Sequence, residues 1–222
     1  GGADTDTLNM TGAGVNEIAY ANWNGTSLTG LWDNAFADAI EAINIDMAGG
    51  NDWLIYNTTF AVTVNLALGA GSGFASISNV ERVIGGSGDD VLTGDGLDNR
   101  LEGGIGADTL SGGGGIDSIF GGDGADIIHG GAANDSPDGG AANHIFNWAM
   151  PDGRDTFRGG ADTDTLNMTG SAVNDVARAN WNGTVITGLL DNSLTDIEAI
   201  HLDLAAGGSV GDWLQYNTSF GI

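Results

Sequence analysis

Cysteine and lysine are absent from this chain of 222 residues, and there are only two prolines. Without cysteine there is neither a disulfide framework nor a thiolate metal site. The five basic residues are all arginines (Arg82, Arg100, Arg154, Arg158 and Arg178) and face 30 acids, for a formal charge of −25 at pH 7. Such a chain repels nucleic acid and anionic lipid, which bind through basic patches. No run of about 18 consecutive apolar residues is present, so membrane insertion is not expected. The chain opens on Gly1 without Met or a recognisable signal peptide, and is expected to be a fragment or processed segment of something longer.

Glycine is abundant, at 40 residues, and 41% of the chain is hydrophobic. The apolar content separates it from acidic disordered tails. A compact chain this acidic repels itself. The composition therefore points to a cation as partner, and to a fold that needs bound metal to neutralise its acids.

From Gly85 to Asn147 the chain keeps a nine-residue clock: GGSGDDVLT, GDGLDNRLE, GGIGADTLS, GGGGIDSIF, GGDGADIIH, GGAANDSPD and GGAANHIFN. Block position six reads Asp90, Asn99, Asp108, Asp117, Asp126, Asp135 and then His144. Position eight reads Leu92, Leu101, Leu110, Ile119, Ile128, Pro137 and Phe146. Trp148 and Ala149 break the phase, after which MPDGRDTFR and GGADTDTLN resume it with Asp155 and Asp164 at position six.

A longer repeat lies over the short one. GGADTDTLNMTG opens the chain and returns at residue 159, and about 27 of the 38 residues from Gly1 match those from Gly159. The copies end alike, DWLIYNTTF at 52 and DWLQYNTSF at 212, so the period is roughly 158 residues. Stacked copies of one unit imply a quasi-one-dimensional architecture. A longer parent array is expected.

Three segments follow: 1–84, a solenoid segment holding the first copy of the long repeat; 85–147, the nonad block; and 148–222, degenerate nonads and then the second copy. Outside the clock, AVTVNLAL (61–68), AINIDM and AIHLDL alternate apolar and polar residues, as half-buried strands do. Asn-Gly at 24–25 and 182–183 marks tight turns. VNEIAYANW could form a turn or two of helix. The flanking segments are otherwise expected to be longer strands continuing the same stack.

Within a nonad, three residues centred on the aliphatic one form a short strand with the middle side chain inward. The six residues before it turn the chain, with glycine supplying positive φ and close backbone approach. Two blocks make one coil of about eighteen residues, and coils stack about 4.8 Å apart. Asp90 is then brought near Asp108, Asn99 near Asp117, Asp108 near Asp126, and Asp117 near Asp135. Carboxylates so placed repel unless a cation lies between them. Ca²⁺ takes six to eight hard oxygens, mixing carboxylates with backbone carbonyls, whereas Mg²⁺ demands a strict octahedron. Zn²⁺ would want imidazole or thiolate, and His129, His144 and His201 show no ligand spacing.

These nonads resemble the calcium-binding RTX repeats of secreted bacterial hemolysin-type proteins, GGxGxDxUx, closely over 85–135 and more loosely over 150–167 and 1–9. The resemblance implies a right-handed parallel β-roll, an all-β solenoid with several Ca²⁺ ions in its turns. It implies position-six ligands at Asp90, Asn99, Asp108, Asp117, Asp126 and Asp135, with Asp155 and Asp164 in the degenerate nonads. It also implies carbonyl ligands from the first four loop positions. These are Gly85, Ser87 and Gly88; Gly103, Ile105 and Gly106; Gly112, Gly114 and Gly115; and Gly121, Asp123 and Gly124, together with the second glycine of each loop. Asp95 and Leu97 replace glycines and Asn99 brings no charge, so that site is expected to be weaker. His144 and Pro137 disturb the last site, and Asp4 and Asp162 replace the fourth glycine of the GGADTD loops. The resemblance further implies one-step (type I) export from a Gram-negative cell, unfolded at low cytosolic calcium, with folding at the cell surface or outside. Physically, metal-binding free energy would become folding free energy.

Acids at fixed spacing serve a repeated structural role, so Asp89–Asp90 is not read as a catalytic pair and the chain is not expected to be an enzyme. The tryptophans could stack on sugar rings, but core packing or coil capping is the expectation, and a polysaccharide ligand has no support beyond that. The expected function is a calcium-binding structural module of a large secreted or cell-surface repeat protein, such as a surface layer, filament or adhesin stalk, with open ends that allow self-association into an extended assembly. The alternative is a C-terminal export and folding module of a secreted protease, lipase or polysaccharide-modifying enzyme.

Overall fold

A computed structural model describes residues 7–24, 27–31, 34–35, 42–170, 176–181, 186–189, 192–197, 199–203 and 213–218. Among these residues every regular element is a β-strand, and the sheets are mainly parallel and do not close into a barrel. In the nonad block the chain winds as a flattened coil whose alternate blocks fall on opposite sheets. One ladder runs through Arg82–Gly86, Arg100–Ile105, Ser118–Asp123 and Ser136–Ala141. The other runs through Val91–Thr93, Thr109–Gly114, Ile127–Ala132 and Ile145–Ala149. Paired residues such as Leu101 and Ile119, or Leu110 and Ile128, are eighteen apart, so two nonads make one coil.

The interior follows from block position eight. Leu92, Leu101, Leu110, Ile119, Ile128 and Phe146 are all fully buried. Each such side chain contributes about 1.5–3 kcal/mol by leaving water. Phe146 and Phe157 meet edge to face across the interior, 5.7 Å between centroids. Pro137 takes the same inward place in its strand.

Several strands run longer than the three residues expected. Thr109–Gly114, Ser118–Asp123 and Ile127–Ala132 each continue through the glycine pair of the next block. The glycines stay in the ladder because they pair with one another, Gly104 with Gly86 and Gly122, Gly113 with Gly131. The second glycine of each pair takes positive φ, 113° at Gly104 and 115° at Gly122. A Cβ there would strike the carbonyl of the preceding coil's glycine. The turn is correspondingly shorter than six residues.

The flanks keep the stack but change the coil. Ser136–Ala141 pairs with Thr156–Gly160 at a step of twenty, and Thr165–Thr169 pairs with Ala199–Asp203 at thirty-four. Thr7–Thr11 pairs with Ala42–Asp46, and Ile18–Trp23 with Trp53–Tyr56, both at thirty-five. Among the described residues no flanking strand exceeds six residues, so the extra chain there does not go into longer strands, contrary to the sequence expectation. It goes into antiparallel excursions: Ile18–Trp23 folds back on Leu28–Leu31, and Val176–Trp181 on Ile186–Leu189. VNEIAYANW is thus strand, not helix, over Ile18–Trp23, because its alternate residues Ala19 and Ala21 face the core. AVTVNLAL forms a strand only over Thr63–Asn65, since the chain turns at Leu66 (Gly69 N–H to Leu66 O, 3.0 Å) and leaves Leu68 79% exposed.

Candidate metal centre

Position six stands at the two edges of the coil, immediately before each inward-pointing strand, and its side chain is buried there. Asp90, Asp108, Asp117, Asp126 and Asp135 are at most 1% exposed. One oxygen of each is used within the protein. The N–H of Asp90 donates to Asp108 Oδ1 at 2.7 Å, and that of Asp108 to Asp126 Oδ1 at 2.9 Å. On the other edge the N–H of Asn99 donates to Asp117 Oδ1 at 2.8 Å, that of Asp117 to Asp135 Oδ1 at 2.8 Å, and that of Asp135 to Asp155 Oδ1 at 2.9 Å. The stacking expected from the sequence is therefore present, held by a side-chain ladder one coil apart.

The second oxygen is left over. Oδ2 of Asp52, Asp90, Asp108, Asp117 and Asp135 is buried without a hydrogen-bond partner, and that of Asp126 is buried with His144 Nδ1 3.3 Å away. An orphaned buried carboxylate oxygen costs several kcal/mol unless a cation or donor meets it. Oδ2 of Asp90, Asp108, Asp117 and Asp126 lies over the first glycine of its own block, where a carbonyl from the next coil also arrives, and Asp135 Oδ2 lies over Gly130. A Cβ on Gly103 would meet Asp108 Oδ2 and, at 2.8 Å, Gly121 O. A Cβ on Gly121 would meet Asp126 Oδ2 and, at 2.6 Å, Gly139 O. Gly85 and Gly112 stand in the same relation to Asp90 and Asp117. The first glycine is thus small to leave a cradle of carboxylate and carbonyl oxygens.

Burial pushes Asp90, Asp117 and Asp126 up to about 7, against the opposing pull of the backbone N–H each accepts; neighbouring carboxylates push the same way. Asp155 is likewise pushed up to about 7 by burial, and Asp108 and Asp135 are raised for the same reason. Among the described residues no three acidic or histidine side chains converge on one point. The donor set is therefore carboxylate plus carbonyl, all hard oxygen, which suits Ca²⁺ and not Zn²⁺.

The other loop residues divide by position. Ser87, Ile105 and Asp123, at position three, turn their side chains to solvent, and Gly114 is half-buried there. At position four, Gly106, Gly115 and Gly124 have φ of 134°, 91° and 123°. Ala133, Ala142 and Asp162 adopt the same left-handed region at that position, at 96°, 89° and 72°. Gly88 packs close on the backbone of Phe60 and Ala61.

Two rungs depart. Asn99 accepts from the Asp95 N–H of its own loop at 2.7 Å, and its Nδ2 is buried without a partner. His144 sits in the ladder: its N–H donates to Asp164 Oδ1 at 2.8 Å, and its Nδ1 accepts from the Asp126 N–H at 3.3 Å. Burial holds its pKa down, against the pull of Asp164 and Asp138; Nδ1 also lies 3.3 Å from Asp126 Oδ2, and Nε2 is buried without a partner. Asp4 lies outside the described residues.

Sequence reasoning missed two kinds of participant. Asp52 is fully buried and extends one edge: the Glu17 N–H donates to its Oδ1 at 2.7 Å, and its own N–H donates to Glu81 Oε2 at 2.8 Å. The signal was present, because Asp52-Trp53-Leu54 repeats the acid-x-aliphatic spacing of the nonads. Asp89 and Asp98 form an outer ladder, accepting from the N–H groups of Ala107 and Ile116 at 2.9 and 2.7 Å.

A search of curated proteins found no match to the chain. The family described as RTX calcium-binding nonapeptide repeat (4 copies) matches residues 78–110, 102–137 and 152–167. Those residues include the run of buried aspartates from Asp90 to Asp135 and the degenerate loops of Asp155 and Asp164. The chain carries RTX calcium-binding nonapeptide repeats, and its parallel coil is the β-roll in which such repeats fold.

Proposed function

We propose that this chain is a calcium-dependent structural module of a large secreted or cell-surface repeat protein, such as a surface layer, filament or adhesin stalk. The observation that supports this reading is the set of buried, partnerless Oδ2 atoms of Asp90, Asp108 and Asp117, each over a first glycine where a carbonyl of the next coil arrives. Asp90, Asp108, Asp117, Asp126 and Asp135 supply carboxylate ligands, joined by Asp155 and Asp164. Carbonyls of the first four loop positions complete the shells, and Asn99 makes a weaker site. Calcium neutralises the ladder, and binding becomes folding. The export route of type I systems fits such a chain, which stays open at low calcium and closes outside the cell.

The test is circular dichroism and isothermal titration of the chain, first in chelator and then in millimolar Ca²⁺. A gain of β-signal with binding of several ions is expected. Full β-structure in excess chelator, or no heat of binding, would overturn the reading.

A further inference from the structure

The two copies of the long repeat have the same internal pairing. Ile18–Trp23 pairs with Trp53–Tyr56 from Ile18↔Trp53 onward, and Val176–Trp181 with Trp213–Thr218 from Val176↔Trp213 onward. Thr7↔Ala42 is repeated as Thr165↔Ala199. The hairpins share even the irregularity at Asn22/Trp23 and Asn180/Trp181.

What differs is what covers them. In the first copy, Trp53–Tyr56 is followed by Arg82–Gly86, and Ala42–Asp46 by Ser76–Ser78. In the second, Trp213–Thr218 and Ala199–Asp203 are the last strands of their sheets among the described residues. At the opposite end, Thr7–Thr11 and Asn34–Ala35 are terminal among the described residues. Their counterparts, Thr165–Thr169 and Asn192–Thr195, are covered by Ile145–Ala149 and Thr156–Gly160. Burial follows the same rule. Ile43 and Ile45 are at most 2% exposed, whereas their counterparts Ile200 and Leu202 are only half-buried. Leu166 and Met168 are at most 1% exposed, whereas Leu8 and Met10 are half-buried.

We propose that the edge formed by Ala199–Asp203 and Trp213–Thr218 is a docking surface for a further copy of the same 158-residue unit. That copy adds its equivalents of Ser76–Ser78 and Arg82–Gly86 in the register seen in the first copy, continuing the solenoid on one axis without a linker. The occupant is a further unit in line, because a second molecule of this chain already has those strands paired internally. The inference rests on the structural reading above. From Trp53–Tyr56 to Trp213–Thr218 the sheet advances nine strands, so each unit adds about 43 Å at the parallel-strand spacing.

The test compares this chain with one lengthened by a further copy of residues 63–222, both in millimolar Ca²⁺. Small-angle scattering is expected to show a single rod longer by about 43 Å, and amide exchange at 213–218 is expected to slow at least tenfold in the longer chain. Two bodies joined by a flexible link, or unchanged exchange at 213–218, would overturn the proposal. Circular dichroism of both chains separates the two questions: a calcium-induced β-signal without rod extension defeats only the docking, whereas no calcium response defeats the structural reading itself.

Discussion

The backbone N–H of Asp90 donates to Oδ1 of Asp108, one full coil away, at 2.7 Å. Asp108 thus does two things: one oxygen ties adjacent coils, and the other lies without a hydrogen-bond partner where the Gly121 carbonyl arrives. Asp108→Asn keeps the acceptor and removes the charge, so the coil should survive in calcium with one ion fewer. Asp108→Ala also strands a buried N–H and should cost a further 1–3 kcal/mol or so. Calcium titration and urea unfolding of the two variants separate these losses.

The first glycine of each loop is small for the sake of the cradle. Gly103→Ala places a methyl against Asp108 Oδ2 and Gly121 O, and should abolish binding at that loop. Gly96 offers the control, since a Cβ there meets nothing within 4 Å. Gly96→Ala should be neutral or stabilise by about 0.4–1 kcal/mol through the unfolded chain. Equal calcium stoichiometry in the two variants would refute the assignment of the cradle.

His144 holds a ladder seat with an imidazole ring in place of a carboxylate. His144→Asp should add one calcium ion, counted by titration, and should make the chain harder to fold in chelator because it adds a buried charge. A variant with unchanged stoichiometry and unchanged chelator behaviour would show that the seat is not a cradle.

In the absence of calcium, stability should rise as pH falls. Asp90, Asp117 and Asp126 are raised in the fold to about 7, above an unfolded value near 3.9. A raised folded pKa stabilises fully below the unfolded value, and that stabilisation is lost as pH rises through about 7. Chelated protein should therefore gain β-signal between pH 8 and pH 5. With calcium the trend should reverse, because protons compete for the same oxygens.

The interior makes an independent prediction. Phe146 is fully buried and packs edge to face on Phe157. Phe146→Ala should cost about 3–5 kcal/mol, read as a lower unfolding midpoint in calcium, with the ion count unchanged.

The nonad block was legible because its period is covalent. Glycine, acid and aliphatic residue recur every nine positions, so inward side chains, coil length and stacking partners follow from counting. Leu110 beneath Ile128 and Asp108 beside Asp126 are both consequences of an eighteen-residue coil. The flanks lack that clock. Their alternation showed strands at Ala42–Asp46 and Ala199–Asp203, but could not show that Ile18–Trp23 turns back antiparallel.

Sequence by itself determined the period, the choice of hard oxygen ligands and the duplication, because each is a property of residue type and spacing along the chain. Only the tertiary structure decided how the two oxygens of each aspartate are divided, that Asp52 joins the ladder, and that Ile200 and Leu202 stand half-covered where Ile43 and Ile45 are buried. Those outcomes depend on which coil lies against which. Neighbours that are eighteen to thirty-five residues away act only after the chain has wound.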